Sequence, residues 1–241
     1  MKKKKIKIKG YIIGIEQIDL CFCGLQDGDL YCLCCSTEVE RSELLAKIVT
    51  GLASRQISVL LLTLDYSYLE MYGKILTIIQ KYDTSLSKDD LILRKSEAIN
   101  KYGTFAVWIE ETHGLSYESL RNILQRLCYI NHHAVECIII DNILKMDTDF
   151  KTQTKGLALE ANLYLLRMVA KEYKIPIIIA SDYNDLSAKK LTESIYVNKI
   201  LNVVTSNDNI IGILETFPSI IISSRHSANN LFESELHVIM E

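Results

Sequence analysis

Proline is almost missing from this chain. Its two prolines, Pro176 and Pro218, each stand at the start of an apolar run, where a strand tolerates a residue without an N–H. No internal repeat and no long linker interrupts the sequence, which excludes a string of small modules. No apolar run reaches membrane length and none reads as a secretory leader, so the expectation is a cytoplasmic protein with no membrane partner. The seven cysteines (21, 23, 32, 34, 35, 128 and 137) lack the paired two-residue-gap knuckles of a structural zinc site. They read as small buried hydrophobes in a reduced compartment, with Cys32 and Cys34 on one sheet face and Cys35 on the other. No Ser-His-Asp or Cys-His arrangement can be inferred. His132-His133 ends a helical pattern, where imidazole suits the helix dipole.

What is present is a core. A chain of 241 residues, 49% apolar and 24% charged, can bury a large interior without disulfides. Net charge is −3, but six lysines fall within "KKKKIKIK" at residues 2–9, so the remainder is more acidic still. Residues 1–10 read as a basic, solvated, disordered tail that could touch nucleic acid or another anionic surface. The acidic body argues against a broad DNA-wrapping surface and leaves room for a local basic channel. Residues 11–241 read as a single domain.

Six apolar runs of strand length recur: "LYCLCC" (30–35), "SVLLLTL" (58–64), "FAVWI" (105–109), "AVECIII" (134–140), "PIIIAS" (176–181) and "SIIISS" (219–224). They lack polar alternation, as strands covered on both faces do. Trp108 lies in one of them and reads as core. Between the runs, Leu44, Leu45, Ile48, Val49 and Leu52 recur at helix spacing, as do Leu120, Ile123, Leu124, Leu127 and Ile130, and Leu159, Leu163, Leu166, Val169 and Tyr173. Alternating strands and helices predict an α/β fold with a mostly parallel central sheet flanked by helices.

The turn after the first strand carries the functional question. A phosphate-binding loop points successive backbone N–H groups into one concavity at a helix start, with glycines for close approach, a lysine for the outer phosphates and Ser/Thr for magnesium. Here the turn reads Glu38-Val39-Glu40-Arg41-Ser42, with Glu43 following. A side chain stands where the backbone must approach phosphate, and carboxylates stand where an anion would sit. One like-charge pair at about 4 Å costs on the order of 1 kcal/mol in water and about 4 kcal/mol at an effective dielectric near 20. A triphosphate carries several charges, so a carboxylate in the cradle would weaken binding by roughly a hundredfold or more. The other reading of the same acids is that they favour a helix N-terminus.

The surroundings of this turn closely resemble the C-terminal, RecA-like motor domain of DnaB-type replicative helicases. "GIEQIDLCFCGLQDGDLYCLCC" (14–35) is similar to the segment before that family's Walker A loop, with Asp19, Gly24, Leu25, Gly28, Asp29 and Leu30 matching. "VLLLTLDYS" (59–67) resembles the strand ending in a catalytic glutamate, with Asp65 in that place. "VWIEETHGLSYESLRNILQRL" (107–127) and "LRMVAKEYKIPIIIASDYND" (166–185) resemble further family segments. "CIIIDNILKM" (137–146) resembles the Walker B strand, with Asp141 at its acidic position. "IIISSRHSAN" (220–229) resembles the finger strand, with Arg225 matching.

The resemblance implies a RecA-like P-loop NTPase fold, ATP and Mg2+ as cofactors, single-stranded DNA, and either a homo-oligomer or a DnaB-type helicase partner. Carried over residue by residue, Asp65, Asp141 and Arg225 are the catalytic candidates. Glu40, Arg41, Ser42 and Asp182 line the nucleotide, and Ser42 and Asp141 hold the metal. Arg225 would act in a neighbouring subunit's site. The departures sit at the positions facing the nucleotide: Glu40 for the Walker A glycine, Arg41 for its lysine, Asp182 for the γ-phosphate-sensing glutamine and Ser223 for the finger lysine. They imply a degenerate Walker A site, weak or absent ATPase, and work as a replication-associated interaction or DNA-binding module. The alternative is an active ATP-dependent replicative helicase or translocase. Lys145, Lys151 and Lys155 occupy the region that faces DNA in the related motors, and read equally as phosphate contacts or as a solvated loop.

Overall fold

The computed structural model describes residues 9–35, 37–82, 107–131, 135–148, 154–182, 194–205, 220–226 and 234–239. In chain order the elements are α1 (Glu16–Phe22), β1 (Leu30–Cys35), α2 (Glu38–Ala53), β2 (Val59–Thr63), α3 (Tyr68–Tyr82), β3 (Val107–Glu111), α4 (Tyr117–Asn131), β4 (Cys137–Asp141), α5 (Lys155–Tyr173), β5 (Ile177–Asp182), β6 (Lys199–Thr205), β7 (Ile220–His226) and β8 (Ser234–Ile239). A short 3-10 turn, Ile143–Lys145, follows β4. Among the described residues the strands form one sheet in the order β3-β2-β4-β5-β1-β6-β7-β8. Every neighbouring pair is parallel except β7 with β8.

The apolar runs follow from this placement. β1, β2 and β4 are buried at every position, and β5 up to its last residue. Alternate side chains feed two cores. Tyr31, Leu33 and Cys35 of β1 join Leu45, Ile48, Met71 and Ile75 of α2 and α3. Leu30, Cys32 and Cys34 join Leu120, Leu124, Leu163 and Leu166 of α4 and α5. The expected split of the cysteines is therefore observed. Each buried Leu or Ile contributes ~1.5–3 kcal/mol, so the strands with both faces covered anchor the fold. Trp108, expected in the core, is half-buried instead, because β3 is an edge strand with β2 as its one partner.

The segment before β1 is a clasp. Tyr11 and Leu25 exchange backbone hydrogen bonds of 2.8 and 2.9 Å. The buried Asp19 carboxylate accepts the N–H groups of Ile13 and Gly14 at 2.7 and 2.8 Å. Gly24 turns with φ +79°, and a Cβ there would lie 2.8 Å from the Gly10 nitrogen. Of the family-like residues of 14–35, Asp19, Gly24 and Leu25 are thus pins for this clasp.

Parallel strands end at one edge. Cys35, Thr63, Asp141 and Asp182 are the last residues of β1, β2, β4 and β5, and the candidate residues collect beside them. His132-His133, Lys151 and Pro218 lie outside the described residues, as do 1–8 of the basic tail and residues 183–193.

Candidate functional site

The turn between β1 and α2 is short. Thr37 caps the helix, its hydroxyl accepting the Glu40 N–H at 3.2 Å, and the Arg41 N–H donates to the Thr37 carbonyl at 3.0 Å. Residues 38–42 are therefore helix, not an open loop. Glu38 and Glu40 sit in its first turn, where acids are favoured by the dipole. The Ser42 hydroxyl is buried and donates back to the Val39 carbonyl at 2.8 Å. Tyr66, in the turn after β2, donates its hydroxyl to the Glu38 carbonyl at 2.9 Å.

Among the described residues, Arg41 is the largest fully buried side chain. Its three guanidinium nitrogens each meet a different carboxylate. Nε donates to Asp141 Oδ1 at 2.5 Å and Nη2 to Asp65 Oδ2 at 2.5 Å, while Nη1 donates to Asp182 Oδ1. Those carboxylates come from β4, the turn after β2, and β5, so one planar head ties three chain segments together. Asn142 adds a 3.4 Å bond to the second Asp182 oxygen, and Lys145 pairs with Asp65 from the 3-10 turn. Burial would lower the Arg41 pKa, but Asp141 and Asp182 outweigh it and the guanidinium stays charged. Burial pushes the Asp141 carboxyl up to about 6, with Arg41 pulling the other way. Asp141 Oδ2 and Glu40 Oε2 are buried and accept no hydrogen bond.

The structure thus gathers Arg41, Asp65, Asp141 and Asp182 into one cluster and places Ser42 and Glu40 on the same helical turn. Arg225 is apart: β7 is three strands from β5, roughly 14 Å at the usual strand spacing. The pairing of Lys145 with Asp65 was missed in the sequence, where Lys145 read equally as a phosphate contact or as part of a solvated loop. A lysine four residues after the acidic end of β4 was the available signal. Lys155 is exposed at the first position of α5.

A model of the DnaB-like helicase C-terminal domain matches residues 10–192. The chain belongs to this family. No curated protein matches the DnaB-like chain. Among solved structures, a DnaB-like replicative helicase described with its interactions with primase is 14% identical, with a TM-score of 0.63. That match covers 97% of this chain and 59% of the helicase, so the chain spans well under two thirds of its length. A second structure, an ATPase domain, is 13% identical with a TM-score of 0.68, covering 98% of this chain and 84% of that one. At such identities these two likenesses establish the α/β, RecA-like fold.

The DnaB-like family implies ATP and Mg2+, and the residues present do not fit them as arranged. The backbone that would cradle phosphate is wound into α2 and spends the Glu40 and Arg41 N–H groups on Thr37. The Arg41 charge faces inward to three carboxylates instead of outward to an anion. The Ser42 hydroxyl is engaged by its own helix.

Proposed function

We propose that this DnaB-like domain has a degenerate Walker A site with weak or absent ATPase and serves DNA replication as an interaction or DNA-binding module. The observation that carries this reading is the Arg41 guanidinium, paired at each of its three nitrogens with Asp65, Asp141 or Asp182. A side chain so held has all three nitrogens turned to carboxylates, and freeing it for a triphosphate would leave buried carboxylates uncompensated. Glu38 and Glu40 at the helix start add repulsion toward a polyanion. Single-stranded DNA and a second copy or a DnaB-type helicase are the partners that the family likeness suggests. Arg225 would then serve a contact between subunits. The reading places the protein in the cytoplasm as one domain over 11–241, and no described helix is long and apolar enough to cross a membrane.

The test is titration with a fluorescent ATP analogue and Mg2+, comparing wild type with Glu40→Gly/Arg41→Lys, followed by phosphate release with and without single-stranded DNA. Silence in the wild type supports the reading, and binding restored in the double variant would place the defect in residues 40 and 41. DNA-stimulated hydrolysis by the wild type, abolished by Asp141→Asn, would sink it. That outcome belongs to the second reading, an active ATP-dependent helicase or translocase. It draws support from Ser42 and Asp141, which keep the residue types such a motor needs, and from Asp65, which keeps a carboxylate where the family has glutamate.

A further inference from the structure

We propose that Asp65, Asp141 and Asp182 form a guanidinium-binding socket whose resident ligand is the side chain of Arg41. This goes beyond loss of ATP turnover: it assigns the three carboxylates a ligand class of their own, a planar cation with donors on three sides. Three features carry it. Each nitrogen of the guanidinium meets its own carboxylate, so the fit is to shape as well as to charge. The socket walls come from separate strand ends: Asp141 closes β4, Asp182 closes β5, and Asp65 follows β2. The Leu64 N–H donates to the Asp141 carbonyl at 2.5 Å, which fixes two walls against each other. Finally, Asp141 is fully buried with Oδ2 unpartnered, so the socket still offers an acceptor when Arg41 is in place.

A compact ammonium could not fill this shape. Lysine carries its three donors on one nitrogen and cannot place a separate nitrogen against each carboxylate. Lys145 takes the outer side of Asp65 and is 59% exposed, so it neutralises the rim and leaves the buried centre to Arg41.

The experiment is thermal unfolding of Arg41→Ala with and without 20 mM guanidinium chloride, far below a denaturing concentration. Controls are 20 mM sodium chloride and the same variant carrying Asp65→Asn and Asp182→Asn. We expect Arg41→Ala to lose about 10 °C in Tm. Guanidinium should return several degrees of it, sodium none, and the added Asn substitutions should abolish the gain. Equal recovery by sodium, or recovery in the Asn background, would overturn the socket. If Arg41→Ala does not fold, Arg41→Lys decides: the socket predicts a clear fall in Tm, and a Lys variant as stable as wild type overturns it. The nucleotide is absent throughout, so ATP binding by the wild type would refute the functional reading by a separate measurement.

Discussion

A carboxylate can earn its place by what it accepts from the backbone. Asp19 reads in the sequence as one matching letter of a family-like segment, and its work is local. It takes the N–H groups of Ile13 and Gly14 in a buried position. Asp19→Ala would leave both donors without their charged acceptor, at a cost of about 3 kcal/mol. Urea unfolding should show this as a lower midpoint with an unchanged slope. The cysteines give a second residue-scale expectation. Cys32, Cys34, Cys35 and Cys137 are fully buried, and burial raises the thiols of Cys35 and Cys137 well above the ordinary range. Iodoacetamide at pH 8 should leave all four unlabelled in the native protein and modify them after urea, as read by peptide mass spectrometry. Labelling of the β1 cysteines in the native state would mean that the central strand opens.

Elements were legible in proportion to how evenly they are buried. β1 was read with its observed limits, and β2, β4 and β5 within a few residues, because strands covered on both faces are continuous apolar runs. β8 was not read, since an edge strand such as "SELHVI" alternates polar and apolar residues and pairs on one side. β6, "KILNVVT", mixes Lys and Asn into its run, and α1 has seven residues, too few for a helical period to show. The acids of "EVER" were read both as a fault in a phosphate cradle and as a helix start, and the second is what α2 does. The inward turn of Arg41 could not be read, because it depends on strand ends that are 24, 100 and 141 residues away. Gly51 shows the same limit. Replacing a helix-interior glycine by alanine normally gains ~1 kcal/mol. Here the new Cβ would lie 1.9 Å from the Ile13 carbonyl oxygen, where the clasp crosses α2. The clash should win, so Gly51→Ala is expected to destabilise by about 1–3 kcal/mol in a urea titration. A gain in stability would mean that the clasp sits farther from α2.

At the scale of the molecule, charge separates the two modes of action, DNA binding and protein interaction, that the proposed function leaves open. The net charge is −3 even with the six lysines of residues 2–9 counted, so the body offers a polyanion little long-range attraction. DNA association, if it is the protein's task, should then depend on that lysine run. Single-stranded binding falls with salt at a slope of roughly −0.7 per phosphate neutralised, so six engaged lysines give about −4 on a log–log plot. Replacing the six by glutamine is expected to bring the slope close to zero and to weaken binding at low salt by orders of magnitude, with the Tm unchanged. Fluorescence anisotropy of a labelled oligonucleotide across a salt series measures both quantities. A slope that survives the substitution would move the contact to the body, with Lys155 at the start of α5 the first residue to change. Absence of salt-dependent binding in the wild type would leave the protein–protein role, because an apolar or shape-matched partner does not release counterions and a phosphate backbone must.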